Sequence, residues 1–163
     1  VNWYVKTLED QGYLSRIKGP NGKRALTLIH REHATTTTAR LPLLGLIAAG
    51  EPIEALENPE MVDVPVSLLH PDHYVLQVKG NSMIDEQIHD KDYIVARKTN
   101  TARSGQIVVA LINGEATLKY YVQGPGGVEL HPRNPDFPII KVDPKDDFHI
   151  NGVLLYSFRN YLN

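Results

Sequence analysis

Hydrophobic and polar residues alternate with a period of two along most of the chain after residue 40. This period is typical of β-strands, because successive side chains of a strand point to opposite faces of a sheet. Asn113-Gly114 lies between two of the alternating runs and favours a two-residue hairpin turn. The pattern predicts a mainly β domain over 41–163, with strands over 74–78, 93–96, 106–112, 116–121, 128–130 and 153–158.

The first thirty residues follow a different pattern. Apolar residues recur at helical spacing over 1–11, which predicts a helix. Strands are predicted over 13–17 and 24–28, and the Gly-Pro-Asn-Gly sequence over 19–22 predicts a turn between them. Helix, strand, basic turn and strand is the order found in the last part of a winged helix-turn-helix. One helix and one hairpin bury too little apolar surface to fold alone, so we expect 1–30 to be a partial winged-helix domain.

Residues 31–40 contain four consecutive threonines and show no apolar period, which predicts a linker between two domains. The expected organisation is therefore a partial α/β domain over 1–30, a linker over 31–40 and the β domain over 41–163. Because the chain starts at Val1 and lacks the first helices of a winged-helix domain, we expect an N-terminal truncation.

The charge is distributed unevenly along the 163 residues, whose formal net charge is −2. Residues 1–31 contain six basic and two acidic residues, a net charge of +4, so the remainder carries −6. This asymmetry indicates that only the first segment contacts a polyanion. The absence of cysteine excludes disulfides, thiolate zinc sites and cysteine nucleophiles, and agrees with a cytoplasmic location. No apolar run approaches the length of a membrane span, so we expect no membrane partner.

Five residues of the basic segment are candidates for contact with DNA. Asn2 and Lys6 lie on the polar side of the predicted helix, where they could contact bases. Lys18, Lys23 and Arg24 flank the predicted turn, where they could contact phosphates. A solvated, charged hairpin without a DNA-binding role explains the same pattern equally well.

Ser82 and Lys119 are the candidate catalytic residues. An isolated Gly-x-Ser-Met is more typical of a serine that caps a short helix, and an isolated lysine is usually solvated. A serine becomes a nucleophile when a base takes its proton, and a desolvated, neutral lysine can be that base. The backbone N–H groups of Ser82 and Met83, at a predicted helix start, are candidate donors to an oxyanion. Ala49-Gly50 offers a peptide bond between small residues, although such a pair is also common in flexible loops.

The histidines are the main alternative source of a base. His89 follows Ser82 by seven residues, and His70 and His73 form a close pair. None stands in a recognisable motif with a carboxylate that would orient it, so all three are interpreted as surface residues. The 70–73 segment contains a proline and lacks a third ligand, so we expect no metal and no cofactor.

Several segments resemble, in register, the LexA-type repressors, a family of self-cleaving serine–lysine peptidases. The order of the segments and the separation of 37 residues between Ser82 and Lys119 also fit that family. The resemblance implies a β fold similar to that of signal peptidases, with Ser82 as nucleophile, Lys119 as base and cleavage between Ala49 and Gly50. The matching segments are 41–45, 48–52, 78–83, 105–110, 115–119, 129–135 and 150–153.

The resemblance also implies partners and a biological role. A protein of this family would bind operator DNA as a homodimer and repress genes of the bacterial DNA-damage (SOS) response. Contact with a filament of RecA on single-stranded DNA would promote its self-cleavage. A UmuD-like mutagenesis factor and a phage repressor share the same peptidase domain and stay open as alternatives, although the 13–28 hairpin argues against the former. Signal peptidases use the same chemistry but need a membrane anchor.

Overall fold

The computed structural model describes residues 2–18, 24–28, 37–48, 54–55 and 60–161. Backbone contacts divide the chain into two compact units, Val1–Arg40 with Asp63–Pro71, and Leu41–Val62 with Asp72–Asn163. The elements, in chain order, are α1 (Asn2–Asp10), β1 (Leu14–Lys18), β2 (Arg24–Leu28), β3 (Thr38–Ala48), β4 (Glu54–Ala55), β5 (Met61–Pro65), β6 (His73–Lys79), β7 (Tyr93–Lys98), β8 (Ile107–Ile112), β9 (Glu115–Gly124), β10 (Gly127–His131), β11 (Ile140–Lys141) and β12 (Phe148–Phe158). Single turns of 3₁₀ helix lie at Val66–Leu68 and Ile84–Glu86.

The first unit contains α1 and the antiparallel pair β1–β2, so the predicted helix and both predicted strands are confirmed. Gly12 follows α1 with a φ of 76°, a conformation that ends a helix at low cost only in glycine. The predicted turn at 19–22 lies outside the described residues. Nowhere in the described ranges is there a helix with the length and apolar character to cross a membrane.

Ten strands of the described chain form one sheet in the order β11-β10-β9-β8-β12-β7-β6-β3-β4, with β5 paired to β3. Five of the six runs of period two fall within one of these strands, and the sixth, 106–112, begins one residue before β8, so the mainly β prediction is confirmed. The hairpin between β8 and β9 turns at Asn113 and Gly114, whose φ angles are 52° and 86°. Two positive φ angles are what a turn that matches the twist of a hairpin requires, so the Asn-Gly signal was correct.

The structure differs from the prediction at the end of the predicted linker. Thr38–Arg40 form the first three residues of β3, whereas 31–36 lie outside the described residues. Ala39 is buried and its neighbours are exposed, so the strand period does continue upstream of Leu41. A single small alanine is too weak an apolar signal for the sequence to show this continuation.

Apolar clusters of described residues lie on both faces of the sheet. Val108 and Ala110 belong to one cluster and Val109 to the other, as expected for a strand with two buried faces. The cluster that contains Val109 also contains Met83 and Leu118, the chain neighbours of Ser82 and Lys119. Burying a side chain of this size stabilises the fold by roughly 1.5–3 kcal/mol. The same core therefore anchors the two segments that carry the candidate catalytic residues.

Candidate active site

Ser82 lies on the turn that follows β6. Gly80 has a φ of 94°, in the region that favours glycine, and reverses the chain directly after the strand. The predicted short helix is a single 3₁₀ turn, Ile84–Glu86, and it has no side-chain cap. The capping interpretation of Ser82 is therefore wrong, and its hydroxyl faces Lys119 instead.

Lys119 lies in the middle of β9 and is 1% exposed. Its Nζ atom is 2.8 Å from Ser82 Oγ, 2.9 Å from Thr117 Oγ1 and 3.0 Å from the Leu118 carbonyl oxygen. Thr117 shares the strand face of Lys119 because β9 alternates, as predicted. The alternative interpretation of Lys119 as a solvated surface residue is wrong, since the side chain is among the largest fully buried ones.

Burial changes the protonation of Lys119. Desolvation lowers the pKa of its amine from 10.5 to about 8, because a charged ammonium is costly away from water. No carboxylate in the described residues forms an ion pair that would offset this effect. A neutral amine has two N–H groups and one lone pair. The N–H groups can donate to Thr117 and Leu118, which leaves the lone pair free to accept the Ser82 proton.

Neighbouring loops hold the backbone that leads to Ser82. The Gly80 N–H donates to Asp90 Oδ1 at 2.7 Å, and the Asp90 N–H donates to Asn81 Oδ1 at 3.1 Å. On the other side, the Arg133 N–H donates to the Ser82 carbonyl at 2.8 Å. The position of Ser82 thus depends on the loop around Asp90 and on the segment at Arg133, which is distant in sequence.

The two candidate oxyanion donors are the neighbouring backbone N–H groups of Ser82 and Met83. Met83 forms an isolated antiparallel bridge with Ile88, and its carbonyl accepts from the N–H groups of Glu86 and Ile88. The Ser82 N–H has no hydrogen-bond acceptor in the part of the chain that the structure describes. The oxyanion role of the Ser82 and Met83 amides stays a prediction.

Ala49 and Gly50 lie outside the described residues, but the strand that leads to them does not. β3 pairs in parallel with β6, and its last residue, Ala48, is in register with Lys79. Lys79 precedes Ser82 by three residues, so β3 ends beside the last residue of the strand that leads to Ser82.

The candidate DNA contacts lie in the first unit. Asn2 begins α1, and Lys6 is exposed on the same helix. Lys18 and Arg24 are opposite each other in the β1–β2 register, next to the predicted turn. Lys23 lies outside the described residues. The structure thus places Lys18 and Arg24 at one end of a hairpin.

His89 belongs to a cluster that the sequence did not reveal. Its backbone N–H donates to Asp92 Oδ2 at 2.8 Å. The Arg159 guanidinium donates to both carboxylate oxygens of Asp92, at 2.5 and 2.8 Å. Burial alone would raise the pKa of Asp92, but the hydrogen bonds from Arg159 and His89 outweigh it and the pKa is lowered. Asp92 and Arg159 are 67 positions apart, and no local signal in the sequence indicates this pair. Within the described ranges, no three His, Cys, Asp or Glu side chains group as metal ligands would.

Comparison with known proteins identifies the family of the chain. The peptidase S24-like family matches residues 42–155. The LexA repressor of Syntrophotalea carbinolica is 44% identical over 99% of this chain and 78% of its own length. The LexA repressor of Pseudothermotoga lettingae is 44% identical over 97% of this chain and 77% of its own, and that of Erythrobacter litoralis is 37% identical over 99% and 82%. The chain therefore belongs to the peptidase S24-like family and is a LexA-type protein.

Proposed function

We propose that this chain is a transcriptional repressor that inactivates itself by cutting its own backbone between Ala49 and Gly50. Ser82 is the nucleophile and Lys119 is the general base. The observation that carries this proposal is the buried Lys119 amine, 2.8 Å from Ser82 Oγ and without a carboxylate partner in the described residues. A lysine whose pKa is lowered by burial is suited to accept a proton near neutral pH.

In both steps of the reaction, formation and hydrolysis of an ester at Ser82, Lys119 carries the protons. The neutral amine takes the Ser82 proton while Oγ attacks the Ala49 carbonyl carbon, and the Ser82 and Met83 N–H groups stabilise the resulting oxyanion. The Lys119 ammonium then protonates the nitrogen of Gly50, which leaves as the new N-terminus. Water hydrolyses the Ala49 ester of Ser82, again with Lys119 as base. Because the substrate belongs to the same chain, its effective concentration at the site is high.

The register of β3 supports the cleavage position. We expect mass spectrometry of the alkaline-incubated protein to find fragments 1–49 and 50–163. Gly50→Leu should block cleavage, since a bulky side chain would separate the peptide bond from Ser82. Gly126→Leu is the matched control, because a Cβ at Gly126 meets nothing within 4 Å. A new N-terminus elsewhere, or normal cleavage of the Gly50 variant, would refute this assignment.

The biological role rests on the relatives, whose names identify them as LexA repressors. Those names favour a repressor over a UmuD-like mutagenesis factor or a phage repressor. The first domain, 1–30, is the end of a winged helix-turn-helix that binds operator DNA as part of a homodimer. The linker 31–40 joins it to the peptidase domain 41–163. A RecA filament on single-stranded DNA favours the conformation with Ala49–Gly50 docked at Ser82, which inactivates the repressor during the SOS response in the cytoplasm.

Charge removal tests the proposed DNA contacts. The observed affinity for a duplex should fall steeply with salt, because each neutralised phosphate releases counterions. We expect Lys18→Ala, at a candidate phosphate contact, to weaken binding and to reduce the slope of log K against log salt by about one unit. Lys145→Ala, an exposed lysine that precedes β12, is the control and should leave the slope unchanged. Mobility-shift titrations over a salt series give both values, and an unchanged slope for Lys18→Ala would remove Lys18 from the interface.

A further inference from the structure

Asn134 lies on the loop after β10 and reaches the turn that carries Ser82. Its Nδ2 donates to the Asn81 carbonyl at 2.9 Å, and its Oδ1 accepts the Asp136 N–H at 2.9 Å. Because a backbone N–H can only donate, the side-chain amide atom that faces the Asp136 N–H must be the oxygen. The nitrogen must therefore face Asn81.

The hydrogen bond to the Asn81 carbonyl controls a whole peptide group. Asn81 C=O and Ser82 N–H belong to one planar trans peptide, so fixing the carbonyl direction also fixes the direction of the N–H. Asn81 C=O receives one other hydrogen bond in the described residues, from the Ile84 N–H at 3.3 Å, which is long for this type of bond. The side chain of Asn134 is thus the closest donor to the peptide that immediately precedes the Ser82 Cα.

We propose that Asn134 is a positioning residue for cleavage: its side-chain amide holds the Asn81–Ser82 peptide so that the Ser82 Oγ and N–H keep their places beside Lys119. The proposal rests on the roles of Ser82 and Lys119 given above. Gly80 is held through Asp90, and the Ser82 carbonyl is held by the Arg133 backbone. Asn134 supplies the shorter of the two hydrogen bonds to the Asn81 carbonyl, which lies between those two points.

The expected effect is a loss of rate rather than a loss of fold. Displacing a reacting group by about 1 Å can cost roughly a hundredfold in rate. Misdirecting one donor to the oxyanion costs about 10²–10³-fold. Asn134 acts on both groups indirectly, and the Arg133 and Asp90 contacts remain, so we expect a loss of about ten- to a hundredfold.

Two substitutions distinguish the contributions of the two hydrogen bonds that the Asn134 side-chain amide forms. Asn134→Asp keeps an oxygen for the Asp136 N–H but loses the donor to Asn81. Asn134→Ala loses both contacts without adding charge. Asn100→Asp, at an exposed asparagine after β7, makes the same chemical change away from Ser82 and is the matched control.

The experiment records the rate of self-cleavage against pH for each full-length variant, together with the rate at which a fluorophosphonate probe labels Ser82. We expect both Asn134 variants to lower the plateau of the pH profile and the labelling rate at least tenfold, with the midpoint of the profile unmoved. Rates are divided by the folded fraction from circular dichroism, so a merely structural role would leave both rates per folded molecule unchanged. Asn100→Asp should match the unsubstituted protein.

Three outcomes would overturn the proposal: a plateau within twofold of the unsubstituted protein, a loss caused only by a displaced midpoint, or normal labelling of Ser82. If Asn134→Ala does not fold, Asn134→Asp decides alone, and should both fail to fold, Asn134 is a structural residue and the proposal is wrong. Ser82→Ala, measured in parallel, distinguishes failure of the proposed function from failure of the role of Asn134. Cleavage by Ser82→Ala would refute the proposed function, whereas an inactive Ser82→Ala beside a fully active Asn134→Asp would refute the role of Asn134 only.

Discussion

Replacing either Ser82 or Lys119 by alanine is expected to reduce self-cleavage by at least about 10⁴-fold, and replacing both should cost no more than one replacement alone. The two side chains are 2.8 Å apart and act in the same proton transfer. Without Lys119, the Ser82 hydroxyl loses the one base within hydrogen-bond distance in the described residues. Without Ser82, the Lys119 amine has no nucleophile to activate.

The measurement is a time course of fragment formation at alkaline pH, with circular dichroism to establish that each variant is folded. Lys119→Met is the companion variant, because it fills the buried space that Lys119→Ala leaves empty. Ser104→Ala is the matched control: the Ser104 hydroxyl bonds with the Gln123 backbone on an exposed loop, so its loss should leave cleavage intact. Substantial cleavage by a folded Ser82 or Lys119 variant would contradict the assignment of both residues.

The candidate site was predictable only in part from residue patterns. A strand period places Lys119 on one face of β9 with Thr117, but the pattern does not say whether that face is buried. The resemblance to a family of self-cleaving peptidases supplied the pairing with Ser82, which is 37 residues away. Periodicity reports which residues share a face, whereas the residues opposite that face depend on how strands pair.

The remaining features of the site depend on contacts that no local pattern encodes. The parallel register of β3 with β6 brings Ala48 beside Lys79, although 31 positions separate the two residues. The bond from Asn134 to Asn81 joins two loops whose sequences read as ordinary turns. Such contacts form because the sheet fixes the ends of each loop, so they follow from the tertiary fold and not from the loop sequences.

The burial that makes Lys119 a base also costs stability. Below pH 8 the folded protein holds a charged ammonium among apolar neighbours, with three oxygen acceptors but no counter-charge in the described residues. A site that was selected for stability alone would have an apolar side chain at this position. The loss of stability and the ability of Lys119 to act as a base therefore both result from its burial. Both must depend on pH through the titration of Lys119.

The rate of self-cleavage is accordingly expected to rise about tenfold per pH unit below pH 8 and to become constant above it, a gain of about a hundredfold between pH 6 and pH 9. The reason is that only neutral Lys119 can accept the Ser82 proton, and its pKa is lowered to about 8. A gel time course over this range gives the profile. A rate that keeps rising steeply beyond pH 9 would mean that Lys119 titrates near 10.5, as in water, and a flat profile would remove Lys119 as the base.

The free energy of unfolding should increase with pH in the range just above pH 8. The folded pKa of Lys119, about 8, lies below its unfolded value of 10.5, so between these values the unfolded chain binds more protons. Burial of the charged Lys119 ammonium thus lowers the free energy of unfolding by about 3 kcal/mol below pH 8, and the free energy of unfolding rises by that amount as pH approaches 10.5. Urea unfolding of Ser82→Ala, which cannot cut itself, should show this rise relative to Ser82→Ala/Lys119→Met. The comparison cancels the pH-dependent contributions of other groups to the free energy of unfolding. One such group is Tyr74, whose pKa is raised to about 12 by burial. Equal pH dependence in the two proteins would show that Lys119 is not desolvated in solution.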